Sequence, residues 1–447
     1  MPFDAELYLR LAGERALASR ESSERMSWGP VLTAARALVA VGAIEAGAAQ
    51  TVVDDYDLAA DLRGPERRVA GMRMRGRTRL AAAHRAAAPP APLPAPRVVA
   101  CDRMLETAAE QIRVRSVSVG PRSVSVAVVV TERIPGQSGP GPGWQGGGPS
   151  QIRLADDRGT TVTASFTGGG SYREWRGHFR SDAPLAADTR WIEVEGDRVE
   201  LGAGSSAAEV SIVSLPGDDP AMSYLWRQVA AQRQRHGPPG MLADAIDALA
   251  AAGRLDPDGQ QLAGLAAVLD ALAQPGGPGW PGRGWFGPGG PGPGRPGPGR
   301  PGPGGTVLPE PWRSLLAGRG RANGPVGAVA IGAATPSFGG GLSVLVLVLQ
   351  SEPEGFQVEV ETSAELGHLP FASVVDERAE LTWWAADDRG GHYLGETSNW
   401  SSSQDGYEGT IDFWPALDPR AAVLELMPTA VTERAVITVP LPWAAGR

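Results

Sequence analysis

The sequence predicts a multidomain α+β protein with two antiparallel β-sandwiches, each preceded by a small helical module, and a disordered Gly/Pro-rich linker. Three observations predict this organisation. A short motif occurs twice, apolar strands surround each copy in the same order, and a helical segment is repeated as well. Such a repeat within one chain indicates that a folded unit was duplicated. The duplication therefore sets the domain organisation of the chain.

The repeated motif reads Ala-Asp-Asp-Arg-Gly and begins at Ala155 and again at Ala386. A strongly β-branched or aliphatic run precedes each copy, and two further apolar runs follow it. Short apolar segments bounded by Gly, Pro, Asp and Ser are typical of half-buried strands. Each half is therefore predicted to be one sandwich, with the motif at a hairpin turn. The strands after the motif are residues 191–194 and 209–213 in the first half, and 423–426 and 435–439 in the second.

The motif itself is interpreted as a structural turn. Asp accepts hydrogen bonds from the backbone two residues on, and Gly supplies a positive φ without steric cost. A Ca²⁺ site or a catalytic carboxylate pair is the alternative, because hard cations take oxygen ligands. Neither copy has a further acidic residue at a regular loop spacing, so no metal site is predicted. The repeated turn comprises Asp156, Asp157 and Arg158 in one copy and Asp387, Asp388 and Arg389 in the other.

The helical segments repeat too. Phe3, Leu7 and Leu11 recur at helical spacing in a first helix, and the second helix ends at Gly42 as a C-cap would. Residues 37–42 match residues 248–253 in type, which predicts a second helical module. The predicted domains are a helical module (1–85), an Ala/Pro linker (86–96), a first sandwich (97–215), a second helical module (221–273), a Gly/Pro-rich disordered linker (274–305) and a second sandwich (323–443).

Composition restricts the classes of function. The net charge of −9 leaves no basic surface for a phosphate backbone, so nucleic acid is not an expected partner. The chain has no Lys, which excludes Schiff-base chemistry, and its single Cys101 excludes a disulfide framework or a thiolate metal cluster. A signal peptide and an apolar stretch of about 18 residues, as a spanning helix needs, are both absent, so a cytoplasmic location without a transmembrane segment is expected.

Catalysis finds little support in the sequence. The 5 histidines are scattered, with no two at a spacing typical of metal ligands or of a base and its partner. No G-x-S-x-G nucleophile motif is present. The chain is therefore predicted not to be an enzyme and to need no cofactor.

An aromatic group gives the best candidate for binding. Trp383 and Trp384 are adjacent and must point to opposite faces of a strand, with Trp400, Trp414 and Tyr393 in the strands and loops beside them. These side chains are interpreted either as core residues or as an exposed platform, which would bind sugars, peptides or proteins. Both adjacent tryptophans can be buried only if the sheet is covered on each side.

The segment from Leu381 to Val439 also resembles a known family. Its Trp-rich strand, its Asp-Asp-Arg-Gly turn, its Phe413-Trp414-Pro415 step and its closing strand look like the immunoglobulin-like domains of uncharacterised bacterial anti-sigma-factor-like proteins. The resemblance implies immunoglobulin-like sandwiches that act as binding modules. The predicted function is a non-enzymatic interaction or scaffold protein whose partner is another protein. The alternative is a carbohydrate-binding protein that holds a glycan on an exposed Trp face of the second sandwich.

Overall fold

A computed structural model gives the fold of most of both halves. The predicted Gly/Pro-rich linker (274–305) lies outside the described residues, and so does the Ala/Pro linker (86–96) except for Pro96. No helix within the described part of the chain is long and apolar enough to cross a membrane. The structure describes residues 3–19, 29–61, 96–106, 110–120, 123–132, 151–171, 174–186, 188–201, 208–215, 219–235, 240–256, 259–273, 308–339, 341–363, 381–402 and 407–443.

The helices of the described residues form two sets of three and one short addition. The first set precedes the first β-rich half and the second set follows it, as the repeat in the sequence predicts. The helices are α1 (Ala5–Ser19), α2 (Gly29–Ala40) and α3 (Ala46–Asp61), then α4 (Pro220–Arg235), α5 (Gly240–Ala251) and α6 (Gln260–Ala273), and finally α7 (Trp312–Ala317).

Helices α2 and α5 are structural equivalents. Both contain 12 residues. Each is followed, two residues after its last helical residue, by a glycine with a positive φ, 66° at Gly42 and 63° at Gly253. Glycine adopts this left-handed conformation without the penalty that a Cβ would bring. In each copy the next residue closes the same C-terminal hydrogen bond, from Ala43 to Leu38 and from Arg254 to Leu249, at 2.9 Å.

The two helical sets pack against each other through this equivalent pair. Ala37 of α2 lies in the apolar cluster that contains Leu249, whereas Ala248 of α5 lies in the cluster that contains Leu38. The small Ala side chains let the two helices approach closely. The contact therefore has approximate two-fold symmetry within one chain, like the isologous contact of a homodimer.

The strands form two sheets. The first sheet contains β1 (Arg97–Glu106), β2 (Glu110–Val119), β3 (Val124–Glu132), β4 (Gln151–Asp156), β5 (Thr161–Ser171), β6 (Glu174–Ser181), β7 (Trp191–Val194) and β8 (Asp197–Glu200). The second contains β9 (Glu209–Ser214), β10 (Gly327–Ala334), β11 (Val344–Glu352), β12 (Gly355–Thr362), β13 (Thr382–Asp387), β14 (His392–Ser402), β15 (Tyr407–Trp414), β16 (Val423–Thr429) and β17 (Glu433–Pro440).

The two sheets share one topology. The first runs in the order β1-β2-β3-β6-β5-β4-β7-β8, and the second in the order β10-β11-β12-β15-β14-β13-β16-β17-β9, with antiparallel pairing throughout. Without β9, the second order is the first with every strand replaced by its equivalent. The protein is therefore a mixed α+β chain with two β-rich halves, and the shared topology supports internal duplication.

Each half has one continuous sheet, which differs from the two separate sheets of the predicted immunoglobulin-like sandwich. A single apolar core in the second half takes residues from both ends of the sheet, for example Ile331 of β10 and Ile437 of β17. The first sheet likewise surrounds one core, from Leu105 of β1 to Val199 of β8. Each sheet must therefore curl strongly about its own core, because its twist accumulates over many strands.

Strand β9 corrects the prediction that residues 209–213 close the first half. It pairs with β17 of the second sheet, for example Ser211 with Val436. The hairpin before β9 is short: β7 and β8 are joined at Glu195 and Gly196, and β8 has 4 residues, whereas β17 has 8. The longer β17 offers the backbone groups that β9 needs. The predicted end of the first domain at residue 215 therefore does not separate the two sheets, because β9 lies before that residue and belongs to the second sheet.

Candidate functional site

The first copy of the repeated turn joins β4 and β5. The Oδ1 atom of Asp156 accepts the backbone N–H of Arg158 at 2.9 Å and that of Thr160 at 2.7 Å. Gly159 adopts a φ of 83° within the turn. Burial raises the pKa of the Asp156 carboxyl, but these hydrogen bonds outweigh it and the pKa is lowered. The carboxylate is therefore held ionised as part of the backbone turn.

The second copy reproduces this geometry between β13 and β14. The Oδ1 atom of Asp387 accepts the N–H of Arg389 at 2.9 Å and that of Gly391 at 2.7 Å. Gly390 adopts a φ of 81°. The agreement in donors and distances supports the interpretation of the motif as a structural turn.

The second aspartate of each motif contacts the start of the third strand that follows it in the chain. Asp157 accepts the side-chain Nε of Arg190 at 2.9 Å, just before β7, and this bond is the first cause of its lowered pKa. Asp388 accepts the N–H of Ala422 at 3.0 Å, just before β16. Arg158 forms an exposed ion pair with Asp188. Both motifs therefore join two hairpins, and no group of three His, Cys, Asp or Glu within the described residues could hold a metal ion.

Tyr393 is buried, and its hydroxyl makes three polar contacts, so it is not an exposed binding residue. Its hydroxyl donates to Oδ2 of Asp387, accepts from Nη1 of Arg321 at 3.0 Å and accepts the N–H of Asp418 at 3.2 Å. Its side chain is fully buried. Burial, and then the Asp387 carboxylate, raise the pKa of the Tyr393 hydroxyl well above its ordinary value. The hydroxyl joins three segments of the second half.

The adjacent tryptophans point to opposite faces of β13, as the sequence predicts. Trp383 is 1% exposed and lies in the core of the second sheet. Trp384 lies on the outer face but is only 7% exposed. Its ring meets that of Trp312 edge to face, at a centroid distance of 5.0 Å, and Trp226 lies 5.4 Å beyond. The outer face is therefore covered by helices α4 and α7.

This covering makes the expectation of an exposed tryptophan platform wrong for the described side chains. Trp414 is 9% exposed and lies in the same cluster as Trp384, together with Met427 and Leu394. Large aromatic surfaces are costly to leave in water, and here the helices remove them from it. Trp400 lies in β14, but its side chain is outside the described residues.

The first half has polar residues at the equivalent positions. Trp384 pairs with Met427 across β13 and β16, and the same register places Arg153 beside Glu195 in the first sheet, both exposed. The helices differ in the same way as the sheets: Trp226 of α4 corresponds to Arg10 of α1, which is charged and exposed. Among the described residues, helices therefore dock on the outer face of the second sheet, where both surfaces are apolar.

The equivalence of α1 and α4 follows from their tyrosines. The Tyr224 hydroxyl of α4 donates to the carbonyl of Thr33 on α2 at 3.4 Å. Tyr8 of α1 faces the corresponding part of α5: burial is the first cause of its raised pKa and the charge of Asp247 on α5 is the second. On this alignment Leu9 corresponds to Leu225, and both are fully buried.

The two sheets meet through charged groups as well as apolar ones. Arg180 of β6 donates from Nη1 to Oε2 of Glu408 on β15 at 2.6 Å, and the two side chains are 10% and 8% exposed. Arg115 of β2 reaches Glu352 of β11 at 2.9 Å. Beside them, Val98 of β1 packs against an apolar patch of β10 and β11. Arg115 and Arg180 of the first half therefore form ion pairs with acidic side chains of the second half.

Glu359 lies at the centre of this contact. It is 6% exposed, and its Oε2 accepts the hydroxyl of Ser116 at 3.1 Å while its Oε1 accepts Nε2 of Gln350 at 2.9 Å. Burial raises its pKa, against the opposing charge of His178. These groups are paired within the chain, which is what a fixed contact between the halves requires.

Helix α1 carries the surface feature that the sequence interpretation missed. Among the side chains of α1 that the structure describes, Ala5, Leu9 and Gly13 are buried, so Leu7 and Leu11 point away from the helical core, and Phe3, just before the helix, is exposed as well. Phe3, Leu7 and Leu11 are 36%, 53% and 52% exposed. Leu7 and Leu11 are neighbours at i and i+4 of α1, whereas Phe3 precedes the helix and its ring lies 5.8 Å from that of Tyr8. We call these three residues the α1 stripe. The sequence could have indicated this surface, because α1 has apolar residues both on the face that is buried and on the face that is exposed.

Comparisons with known proteins assign no family. No protein-family model matches the chain, and no curated protein matches it. One solved structure, "The crystal structure of the conserved domain protein from Bacillus anthracis", is similar over 74% of this chain and 77% of that chain, at 9% identity and a TM-score of 0.18.

Proposed function

We propose that this protein is a non-enzymatic interaction or scaffold protein whose α1 stripe binds another protein. Single exposed apolar residues are normal on protein surfaces, whereas several on one face mark an interaction site. The α1 stripe supplies Leu7 and Leu11 on one helix face and Phe3 just before the helix, and this observation carries the proposal.

The remainder of the described architecture supports the same function. The tryptophans and the acidic groups at the contact between the sheets are engaged in holding helices and sheets together. Ion pairs such as Arg180 with Glu408 fix the two halves relative to each other. Such a body suits a scaffold that presents a surface, because rigid elements position binding residues better than loops do.

Carbohydrate recognition on a tryptophan face has no comparable support. It requires exposed rings, and Trp383, Trp384, Trp414 and Tyr393 are all buried.

A crosslinking pull-down from the native host tests the proposal. The baits are the wild-type chain, Leu7→Asp, and Met104→Asp as a matched control, because Met104 is 50% exposed but lies on β1. We expect proteins that the wild type and Met104→Asp retain and that Leu7→Asp loses. Identical sets of captured proteins for all three baits would contradict the proposal. A fourth bait without residues 274–305 shows whether that tract contributes.

A further inference from the structure

We propose that the contact between the two sheets responds to pH, because Glu359 is held there as a neutral carboxylic acid whose ionisation weakens the contact between the halves. Glu359 lies on β12 of the second half and contacts Ser116 of the first. The contact includes no residue of the α1 stripe, so the proposal is independent of the proposed function. Three observations support it: the groups around Glu359, the geometry of its hydrogen bonds and the residue at the equivalent position of the first half.

Glu359 is buried without a cation beside it. It is 6% exposed, and among the described residues it accepts only from neutral groups, the hydroxyl of Ser116 at 3.1 Å and Nε2 of Gln350 at 2.9 Å. No Arg or His nitrogen of the described side chains lies within ion-pair distance of its carboxyl group. An ionised carboxylate that is removed from water without a cation is costly, and such a group takes up a proton instead.

The two arginines of the contact are paired with other carboxylates. Arg115 donates to Glu352 at 2.9 Å, and Arg180 donates to Glu408 at 2.6 Å. These guanidinium groups therefore leave Glu359 to its neutral donors. Glu408 is 8% exposed, so two similarly buried carboxyl groups of one contact differ in whether a cation lies beside them.

The charges around Glu359 oppose one another. His178 and Arg115 lower the pKa of Glu359 and Glu408 raises it, but burial is the largest effect and the pKa is raised. The charged and titratable groups that face this region are Arg115 on β2, His178 and Arg180 on β6, Glu408 on β15 and Glu361 further along β12.

The observed geometry accepts the proton without rearrangement. A neutral carboxyl group has one O–H donor and keeps acceptor capacity on its oxygens. The Oε2–H of neutral Glu359 donates to the hydroxyl oxygen of Ser116 along the same 3.1 Å contact, while Oε1 still accepts from Gln350. Loss of the proton to solvent removes this donor and leaves a charge between the halves.

The repeat shows that the fold does not require a carboxylate at this position. In each sheet the pairing register shifts once between the second and third strands, and the first pair after the shift is Ser116 with Ala127 in one sheet and Val348 with Glu359 in the other. Ala127 is 4% exposed. The same buried position therefore holds Ala in the first half and Glu in the second, so neutral replacements of Glu359 are compatible with the sheet.

The direction of the pH dependence follows from the raised pKa. The ordinary value for a Glu carboxyl is 4.5, and the folded value of Glu359 lies above it. The folded chain therefore keeps this proton at pH values where the unfolded chain has lost it. The contribution to stability is fully present below the ordinary value and is lost as the pH rises through the folded value.

Urea unfolding of the full chain at about pH 5 and about pH 8 tests the proposal. Glu359→Gln keeps the shape without the charge, so its urea midpoint is expected to exceed that of wild type at the higher pH. The ratio of the two unfolding constants is expected to grow by up to about tenfold per pH unit between the ordinary and the folded value. Glu408→Gln is the matched control and is expected to lower the midpoint at both pH values, because Arg180 loses its partner.

Two further arms locate the proton and the weakened contact. The infrared C=O absorption of a carboxylic acid is expected in wild type at about pH 6, where ordinary carboxyl groups are ionised, and to be weaker in Glu359→Gln. His178→Gln is expected to keep the pH dependence of wild type. Hydrogen-exchange protection, corrected for the intrinsic effect of pH, is expected to fall from about pH 5 to about pH 8 at residues 357–361 and to stay unchanged at 423–426.

Each arm can overturn the proposal. It fails if Glu359→Gln is no more stable than wild type at the higher pH, or if the ratio of unfolding constants does not change with pH. Loss of the dependence in His178→Gln would place the proton on His178 instead. Equal loss of protection at 423–426 would show an effect on the whole second half and not on the contact. If Glu359→Gln does not fold, Glu359→Ala replaces it, and absence of the acid absorption in wild type at about pH 6 still overturns the proposal.

Discussion

The ring of Trp384 on β13 meets the ring of Trp312 on α7 edge to face, with centroids 5.0 Å apart and planes at 90°. This pair joins the helices to the second sheet. The residue of the first sheet that is equivalent to Trp384 is Arg153, which is exposed. Apolar residues on both the sheet and the helix therefore accompany the helix cover in the second half, and charged residues stand at the equivalent positions of the first.

The substitution Trp384→Arg is expected to destabilise the second half by about 3 to 5 kcal/mol, because it removes a buried aromatic ring and leaves a charge against Trp312. Urea unfolding followed by Trp fluorescence measures the loss. Arg153→Trp is the matched control and is expected to change stability by less than about 0.5 kcal/mol. Equal effects of the two substitutions would show that the outer faces are not different.

Tyr393→Phe is expected to lower the free energy of unfolding by about 1 to 3 kcal/mol, because Asp387 and the N–H of Asp418 lose a buried partner. Tyr8→Phe serves as the control, since Tyr8 is only partly buried. Thermal or urea unfolding at neutral pH gives both values. Wild-type stability in Tyr393→Phe would mean that the hydroxyl does not hold the three segments together.

The same hydroxyl predicts a dependence on alkaline pH. Its folded-state pKa lies above its unfolded value of about 10, so the folded state keeps the proton longer than the unfolded chain does. Its contribution to stability is fully present below that unfolded value and is lost as the pH rises through the folded value. We expect Tyr393→Phe to remove this component from the decline in stability between about pH 10 and 12. Parallel declines in both proteins would contradict the assignment.

Arg180→Leu is expected to destabilise the contact between the sheets by about 3 to 5 kcal/mol, because Glu408 remains buried without its guanidinium. The double variant Arg180→Leu with Glu408→Leu is expected to recover most of this loss. A double-mutant cycle from urea unfolding measures the coupling between the two side chains. Additive losses would show that the two groups do not interact.

Strand β9 is expected to stabilise the second half and not the first. Val210 and Ile212 pack against the core of the second sheet, so replacing both with Asp should detach β9 from β17. Hydrogen exchange is then expected to quicken at residues 433–438 and to stay unchanged at 197–200. Faster exchange in β8 instead would assign β9 to the first sheet.

Part of the fold could be predicted from local patterns. The positive φ required at Gly42 and Gly253, and the Asp and Gly of the two motifs, depend on neighbours in the chain only. For this reason the repeated helices and turns were found correctly. The opposite orientations of Trp383 and Trp384 follow from the alternation of side chains along a strand and were also predictable.

The exposure of the candidate residues could not be predicted in the same way. Periodicity places Trp383 and Trp384 on opposite faces of β13, but it does not say which face is outer or that α7, about 65 residues earlier in the chain, covers it. Leu7 and Leu9 are equally apolar, and the packing of α1 against α2 and α3 selects Leu9 for the core. Whether a side chain is buried depends on the element that packs against it, whereas a sequence pattern describes only the element that carries the side chain.

The sequence by itself determined the repeated elements, their order and the turns between them, because these follow from backbone preferences and side-chain periodicity. The tertiary structure decided that each half is one curled sheet, that β9 crosses to the second sheet, that the tryptophans are covered and that the α1 stripe is open. These features depend on contacts between segments far apart in the chain. Their free energies come from area removed from water and from charges paired across the halves, which no local segment contains.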